Sequence, residues 1–317
     1  MSAFFIIIFM SLNRENWREQ RQRLEGNNLA EATPGRIKSV KKWFLFYYSV
    51  KLFSYFLKKS RLFGRGMRNA KEIEVNLLDH SFDNLPTEFN GKCILHLSDL
   101  HLQERPDVVD SICNLVKGHH VDFLFFTGDY TSKNIHNFND LQIGEMVKKI
   151  ILTVNPKYGS FGVLGNHDHS ELVSVLESVG VNVLVNEAVD LSIGKGNIRL
   201  IGTDDPHYYY TNAAKEILGS ASEKFSIALV HTPELFDVAM VNGVDFYLCG
   251  HSHGGQICLP FKVPIVTHLN SGKRFFRGRW KLKNMIGYTS KGAGTVALPI
   301  RFNAVAEITF HYLRSKN

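Results

Sequence analysis

Cysteine is scarce in this chain: four residues, Cys93, Cys113, Cys249 and Cys258, in 317, with no paired spacing. That argues against a disulfide framework and leads us to expect free thiols on the cytoplasmic side. Cys93 and Cys249 fall in apolar runs, where cysteine acts as a small filler. No apolar run approaches the ~20 residues a helix needs to span a bilayer. The stretch 2–12, SAFFIIIFMSL, has no basic residue ahead of it and no small-residue cleavage site behind it, so it makes a poor signal peptide. There is no internal repeat, no low-complexity tract and no Gly-rich nucleotide loop; the Gly-Arg-Gly at 64–66 and the Gly-Lys-Gly at 194–196 read as turns.

One further absence is local. Residues 36–68 contain ten basic residues and no acidic one, so the rest of a chain of formal charge +7 stands near −3. Within them lies 43–57, WFLFYYSVKLFSYFL, an aromatic block with Lys51 at its middle and lysines and arginines on both flanks. Such a block suits the headgroup boundary, where rings sit between water and acyl chains and cations meet anionic lipid. The alternative is a helix packed on the body of the protein. Nucleic acid is not an expected partner, because the cations bracket an apolar block rather than line a polar groove. Residues 13–31 are strongly charged and read as a solvated helix or linker.

What the chain does have is five stretches rich in metal-binding side chains. They are DLH at 99–101, GDY at 128–130, GNHDH at 165–169, VHTP at 230–233 and GHSHGGQ at 250–256. Each follows an apolar run that reads as a buried strand, at 93–97, 123–126, 161–164, 225–230 and 246–249. Ligands at the ends of neighbouring strands can converge on one point. Two divalent ions about 3.5–4 Å apart need a bridging ligand, and Asp129, behind a glycine that permits a tight turn, is the natural bridge. Asp99, His101 and His253 would complete the first ion, and Asn166, His231 and His251 the second. Carboxylate, imidazole and amide oxygen suit manganese, iron or zinc better than calcium. Between such ions a water loses its proton near neutral pH and can attack phosphorus in line. His167 would face the leaving oxygen as acid or donor, with Asp168 fixing its tautomer.

These motifs resemble the calcineurin-like metallophosphoesterase superfamily over roughly residues 70 to 310. The resemblance implies a four-layer αββα sandwich of two mixed sheets, two divalent metals with Mn²⁺ foremost, and the residue roles just given. The protein Ser/Thr phosphatases of that superfamily carry Asp-Arg-Gly after the GD motif and Glu after Asn-His; here Tyr130 and Asp168 stand there. Purple acid phosphatases place a tyrosine where this chain has Ser132. GGQ at 254–256, DDP at 204–206, YTSKG at 288–292 and LPIR at 298–301 resemble a bacterial, often membrane-associated branch. That branch includes hydrolases of UDP-2,3-diacylglucosamine in lipid A synthesis. The better-known enzyme of that step has Arg at the position of His167, so the likeness is to the other branch.

The expected organisation is a membrane-associating segment at 1–68 and a catalytic domain at 69–317, peripheral on the cytoplasmic face of the inner membrane. Helices are expected at 106–119, 139–154, 170–179, 211–218 and 233–241, with late strands at 256–259, 295–301 and 306–310. Two groups stay open. Lys273, Arg274 and Arg277, in a cluster extending to Lys283, could grip a diphosphate or form a solvated hairpin. Asp204 and Asp205 could line the cleft or cap the turn before Pro206. His169, next to Asp168, could touch substrate, whereas His80, His96, His207 and His311 read as surface residues, core residues or supports behind the ligands. Three functions compete: a phosphodiesterase or pyrophosphatase yielding lipid X and UMP from the diacylated nucleotide sugar, the same chemistry on a soluble phosphoester with a tether, and a non-catalytic metal-binding scaffold. Because every candidate ligand lies beyond residue 98, loss of 1–68 is expected to spare hydrolysis of a small diester.

Overall fold

A computed structural model describes residues 4–8, 14–26, 40–132, 139–221 and 224–316. Its frame is two mixed sheets. The first holds β2 (Ile73–Phe82), β3 (Cys93–Leu97), β4 (Phe123–Thr127), β5 (Ser160–Val163), β6 (Val181–Val183) and β13 (Ala306–Ser315), in the order β2-β13-β3-β4-β5-β6. The second holds β1 (Phe4–Ile8), β7 (Glu187–Ile193), β8 (Gly196–Gly202), β9 (Ser226–Leu229), β10 (Phe246–Cys249), β11 (Gly278–Leu282) and β12 (Met285–Thr289), in the order β1-β7-β8-β9-β10-β12-β11.

Side-chain alternation along each strand builds the layers. In β4, Phe123 and Phe125 face the other sheet, joining Leu191, Leu200, Leu229 and Phe246 in one core. Leu124 and Phe126 point the opposite way, against helices α4 (Asp107–Leu115), α5 (Asp140–Val154) and α6 (Leu172–Ser178). The second sheet likewise packs its outer face on α7 (Asn212–Leu218) and α8 (Phe236–Val241). Helices therefore cover both outer faces, the four layers expected. Helix α5 starts where a capping box predicts, with Asn139 and Gln142 satisfying each other's backbone N–H.

The late strands differ from expectation. Residues 295–301 form no strand, and 256–259 contribute only isolated bridges at Ile257 and Cys258. Here the Gln256 side chain does the pairing: its Nε2 donates to the carbonyls of Val296 and Leu298 at 2.9 and 3.0 Å, and its Oε1 accepts from Val296 N at 3.0 Å. One amide side chain takes the place of a ladder.

The front of the chain also differs. β1 pairs antiparallel with β7, Phe4 opposite Ile193 and Ile8 opposite Val189, so part of the apolar stretch 2–12 is an edge strand of the catalytic body. Helix α1 (Arg14–Gly26) buries Trp17 and Arg21, so it is not a solvated linker. The boundary drawn at residue 68 thus does not follow the packing. The aromatic block is helical, within α2 (Val40–Lys59), followed by α3 (Leu62–Lys71). Residues 36–39 and the side chains of Trp43, Phe44, Phe46 and Tyr47 lie outside the described residues. Among the described residues, no helix is long and apolar enough to cross a membrane.

Candidate metal centre

β3, β4 and β5 run parallel in one sheet, and β9 and β10 run parallel in the other. Their carboxyl ends open on one side of the molecule, which is where α/β sheets collect ligands. Three of the motifs, at 99–101, 128–130 and 250–256, bend sharply as their strands end. Asp99, His101, Asp129, His251 and His253 accordingly have left-handed backbone, with φ between 45 and 71°. Asp and His tolerate that region better than branched residues, and such strain concentrates at functional sites. The neighbouring glycines allow close approach: a Cβ on Gly165 would strike the Asp129 carboxylate, and one on Gly250 would strike Ser98 and Asp99.

The seven expected ligands converge as two buried groups. In the first, Nε2 of His101 lies 3.1 Å from Nε2 of His253, which lies 3.5 Å from Asp99 Oδ1. In the second, Asn166 Oδ1 lies 3.1 Å from His231 Nε2 and 2.7 Å from His251 Nδ1, and those nitrogens are 3.2 Å apart. Asp129 Oδ2 stands between the groups, 3.3 Å from His231 and 3.7 Å from His101. A metal–ligand bond of about 2.1 Å separates adjacent ligands by about 3.0–3.4 Å. The donor spacing therefore fits one ion in each group, with Asp129 shared.

The hydrogen bonds behind the rings set their tautomers. Nδ1 of His231 meets the Thr127 carbonyl at 2.7 Å, and Nδ1 of His101 meets the Thr131 carbonyl at 2.9 Å. A carbonyl only accepts, so these nitrogens carry the protons and the Nε2 lone pairs face the site. Burial holds His101 down at about 3 and His251 and His253 well below their ordinary range, which keeps their lone pairs available. Burial also lifts Asp99 to about 7. His231 is the exception: burial disfavours its charge, yet the Asp129 carboxylate pushes it up to about 10. The buried carboxylates thus draw a positive charge even onto a buried imidazole, and divalent cations would supply that charge instead.

Asp99 is braced from within the inter-sheet core. Ser98 Oγ donates to it at 2.6 Å, Thr127 Oγ1 donates to Ser98 at 2.8 Å, and His96 Nε2 is 2.8 Å from Thr127. Beyond His96 come His311, at 3.4 Å, and His80, 2.9 Å from His311. With the Ser98 hydroxyl donating to Asp99 and the Thr127 hydroxyl to Ser98, every proton in this chain points toward Asp99. The bookkeeping then leaves His80 Nδ1 as a bare acceptor, and that buried atom has no hydrogen-bond partner. Arg301, fully buried, holds the His253 side: its guanidinium donates to the carbonyls of His253, Lys291, Gly292, Gly294 and Ala304 at 2.7–3.2 Å.

Several expected roles change. His167 borders the cavity and packs edge-on to His101, with ring centroids 5.1 Å apart. Asp168 also has a backbone role. Its carboxylate accepts from Gly165 N, Asp129 N, Thr131 N and Thr131 Oγ1 at 2.8–3.1 Å, and so fastens the backbone of two motifs together. His169 turns to Asp140 at 2.8 Å, away from the cavity. Lys273 and Arg274 are exposed and Arg277 donates to the Lys262 carbonyl at 3.1 Å; none of the three lines the cavity, and β11 after them forms a hairpin with β12. Asp205 caps the turn, accepting from His207 N and Tyr208 N, whereas Asp204 is buried against Trp17 and Arg21 of α1. His207 was missed. Its Nδ1 pairs with Glu234 at 3.0 Å, and its ring centroid lies 4.2 Å from that of His251. Nothing in its spacing marks it, because the contact joins strand ends far apart in sequence.

The site opens into a cavity of about 520 Å³. Asp129, Asn166, His167, His251 and His253 form its floor, and Val50, Phe53, Ile257, Ile265, Val266 and Leu298 form much of the wall. Beyond the wall, Phe261 is 98% exposed, with Leu259, Val263, Tyr55 and Phe56 also largely open to solvent.

Among known proteins, the model of the calcineurin-like phosphoesterase family matches residues 94–255. The chain is 31% identical to YkuE, an uncharacterised metallophosphoesterase of Bacillus subtilis, across 80% of this chain and 92% of that protein. It is 32% identical to YkoQ of the same organism, across 78% and 92%. It is 27% identical to the phosphodiesterase YaeI of Escherichia coli, across 68% and 80%.

Proposed function

The chain belongs to the calcineurin-like phosphoesterase family and is a metal-dependent phosphoester hydrolase, and from that premise we propose that it cleaves a phosphodiester or pyrophosphate bond in a lipid-linked substrate at a membrane surface. The observation that carries this reading is the cavity, whose floor is the metal centre and whose wall is largely apolar. A small soluble phosphoester would leave much of this apolar wall without a partner. An acyl chain beside the scissile phosphate needs the wall found here. Exposed apolar side chains on the segments that also line the cavity, Tyr55 and Phe56 after Phe53 and Leu259, Phe261 and Val263 before Ile265, and the cations of α2 and α3, suit an anionic bilayer from which such a substrate would be drawn.

In this reading Asp99, His101, Asp129 and His253 hold one divalent ion, and Asn166, His231 and His251, with Asp129 shared, hold the other. When bound, the ions polarise the phosphoryl oxygens and lower the pKa of water toward neutrality. His167 lies against the cavity, where its ring can donate to the leaving oxygen. The relative named as a phosphodiesterase supports diester cleavage. UDP-2,3-diacylglucosamine combines the required features, a pyrophosphate next to acyl chains, and is the leading substrate, with Mn²⁺ the leading metal. The cytoplasmic face of the inner membrane is the corresponding location.

The test compares two substrates on the Mn²⁺-loaded full chain: UDP-2,3-diacylglucosamine and a bis-aryl phosphodiester. Phe53→Asp, in the apolar wall, should depress turnover of the diacylated substrate at least tenfold more than that of the aryl diester. Equal effects on both, or no turnover of the diacylated substrate by the parent, would leave the tethered soluble-substrate reading.

A further inference from the structure

Arg21 is the most buried cation among the described residues of the front segment, with a side chain wholly removed from solvent. Such a charge is costly to bury unless each donor has a partner. Its partners are unusual for a residue so far from the metal motifs. Nη2 donates to the carbonyls of Gly165 and Asp168 at 3.1 and 2.7 Å. Nη1 pairs with the buried Asp204, which also accepts from Trp17 Nε1 at 2.7 Å. Nε donates to Glu25 at 2.9 Å, and the guanidinium lies 3.4 Å over the Tyr209 ring. Glu25 then accepts from Ser170 N at 2.9 Å.

These contacts converge on one loop. Asn166 and His167 sit between the two carbonyls that Arg21 holds, and Ser170 closes the loop behind them. Asp168 fastens the loop on its inner side, toward Asp129 and Thr131; Arg21 and Glu25 fasten it on its outer side. The planar fork of a guanidinium reaches both carbonyls and the carboxylates at once, which lysine cannot do.

We propose that Arg21 is a positioning residue for hydrolysis, acting through the carbonyls of Gly165 and Asp168 on Asn166 and His167. Helix α1 is then not merely a tether, because its Arg21 reaches the metal-centre loop while its Arg14 end does not. The expectation that loss of 1–68 spares small-substrate hydrolysis is reversed. The inference rests on Asn166 and His167 working at this centre, but it is independent of the substrate's lipid character.

The experiment uses the full chain and a bis-aryl phosphodiester. Arg21→Ala should lower kcat about 100-fold, the effect of a reacting group displaced by about 1 Å, with KM changed less than about threefold. In titrations of the metal-free chain with Mn²⁺, one of two binding steps should weaken about tenfold and the other should hold. Arg21→Lys should recover about tenfold of the lost kcat. Arg14→Ala is the control: Arg14 anchors the other end of α1 to Glu187 and Val183, away from the loop. It should lower the melting temperature with kcat within twofold of the parent. Where Arg21→Ala does not fold, Arg21→Lys carries the test, with an expected kcat deficit of about tenfold. The proposal is overturned if kcat stays within threefold in whichever Arg21 variant folds, if both Mn²⁺ steps weaken equally, or if Arg14→Ala loses kcat in step with its stability.

Discussion

The two halves of the metal centre contain similar ligands but are held from opposite directions. Asp99, His101 and His253 are braced from inside the fold, by the Ser98–Thr127–His96 chain between the sheets and by Arg301 beneath the His253 loop. Asn166 is braced from outside, by an N-terminal helix that docks its arginine on the back of the loop. The first half therefore shares the stability of the core. The second depends on a helix from the front of the chain that reaches the loop through Trp17 and Arg21. Asp129 belongs to both halves and joins them.

Asp129→Ala should abolish hydrolysis and reduce metal content below two ions per chain, because it removes the one oxygen that faces both groups. Elemental analysis showing two retained ions with normal turnover would end the two-group description. Next in size, His167→Ala should lower kcat roughly 10²–10⁴-fold, the contribution of a positioned acid or donor, with both metals still bound. Metal loss in that variant would make His167 a ligand and redraw the second half.

Arg301→Met sharpens the contrast from the core side. It strips donors from five carbonyls, so unfolding free energy should drop by about 3 kcal/mol or more, read from urea midpoints. One Mn²⁺ step should weaken about tenfold, and it should differ from the step affected in Arg21→Ala. If both variants weaken the same step, the halves are not held separately.

The smallest effect lies in the histidine chain. Burial pushes His80 down to about 4 and His96 to about 3. Below about pH 6.5 the unfolded chain binds protons that these folded rings refuse, so stability falls as pH drops through that window. Each ring contributes about 1.4 kcal/mol per pH unit to that slope. His80→Gln, measured metal-free, should flatten the slope between pH 6.5 and about 4 by one such increment; an unchanged slope would mean that His80 is protonated in the fold.

Much of the site was legible because metal chemistry restricts residue types and strand ends restrict their spacing. The five motifs name all seven converging ligands, and the apolar runs before them mark β3, β4, β5, β9 and β10 within a residue or so. The strands that escaped notice, such as β2 and β7, carry polar residues along their length and signal weakly. The false strand at 295–301 has β-prone residues whose backbone is instead occupied by the Gln256 side chain. Charge composition misled at α1: its helix reads as solvated because Trp17 and Arg21 are few among many exposed charges.

The sequence by itself determined the ligand set, its order along the chain, the chemistry it supports and the layered fold that aligns it. These follow from local rules: strand periodicity, turn-permitting glycines and the donor preferences of divalent metals. Only the tertiary structure decided that Asp168 ties the backbone of two motifs together, that His207 and Glu234 stand beside His251, and that Arg21 belongs behind the Asn166 loop. The Arg21–Gly165 contact joins residues 144 positions apart. A guanidinium meeting a carbonyl leaves no pattern in sequence, because every residue has a carbonyl and only packing chooses which one is met.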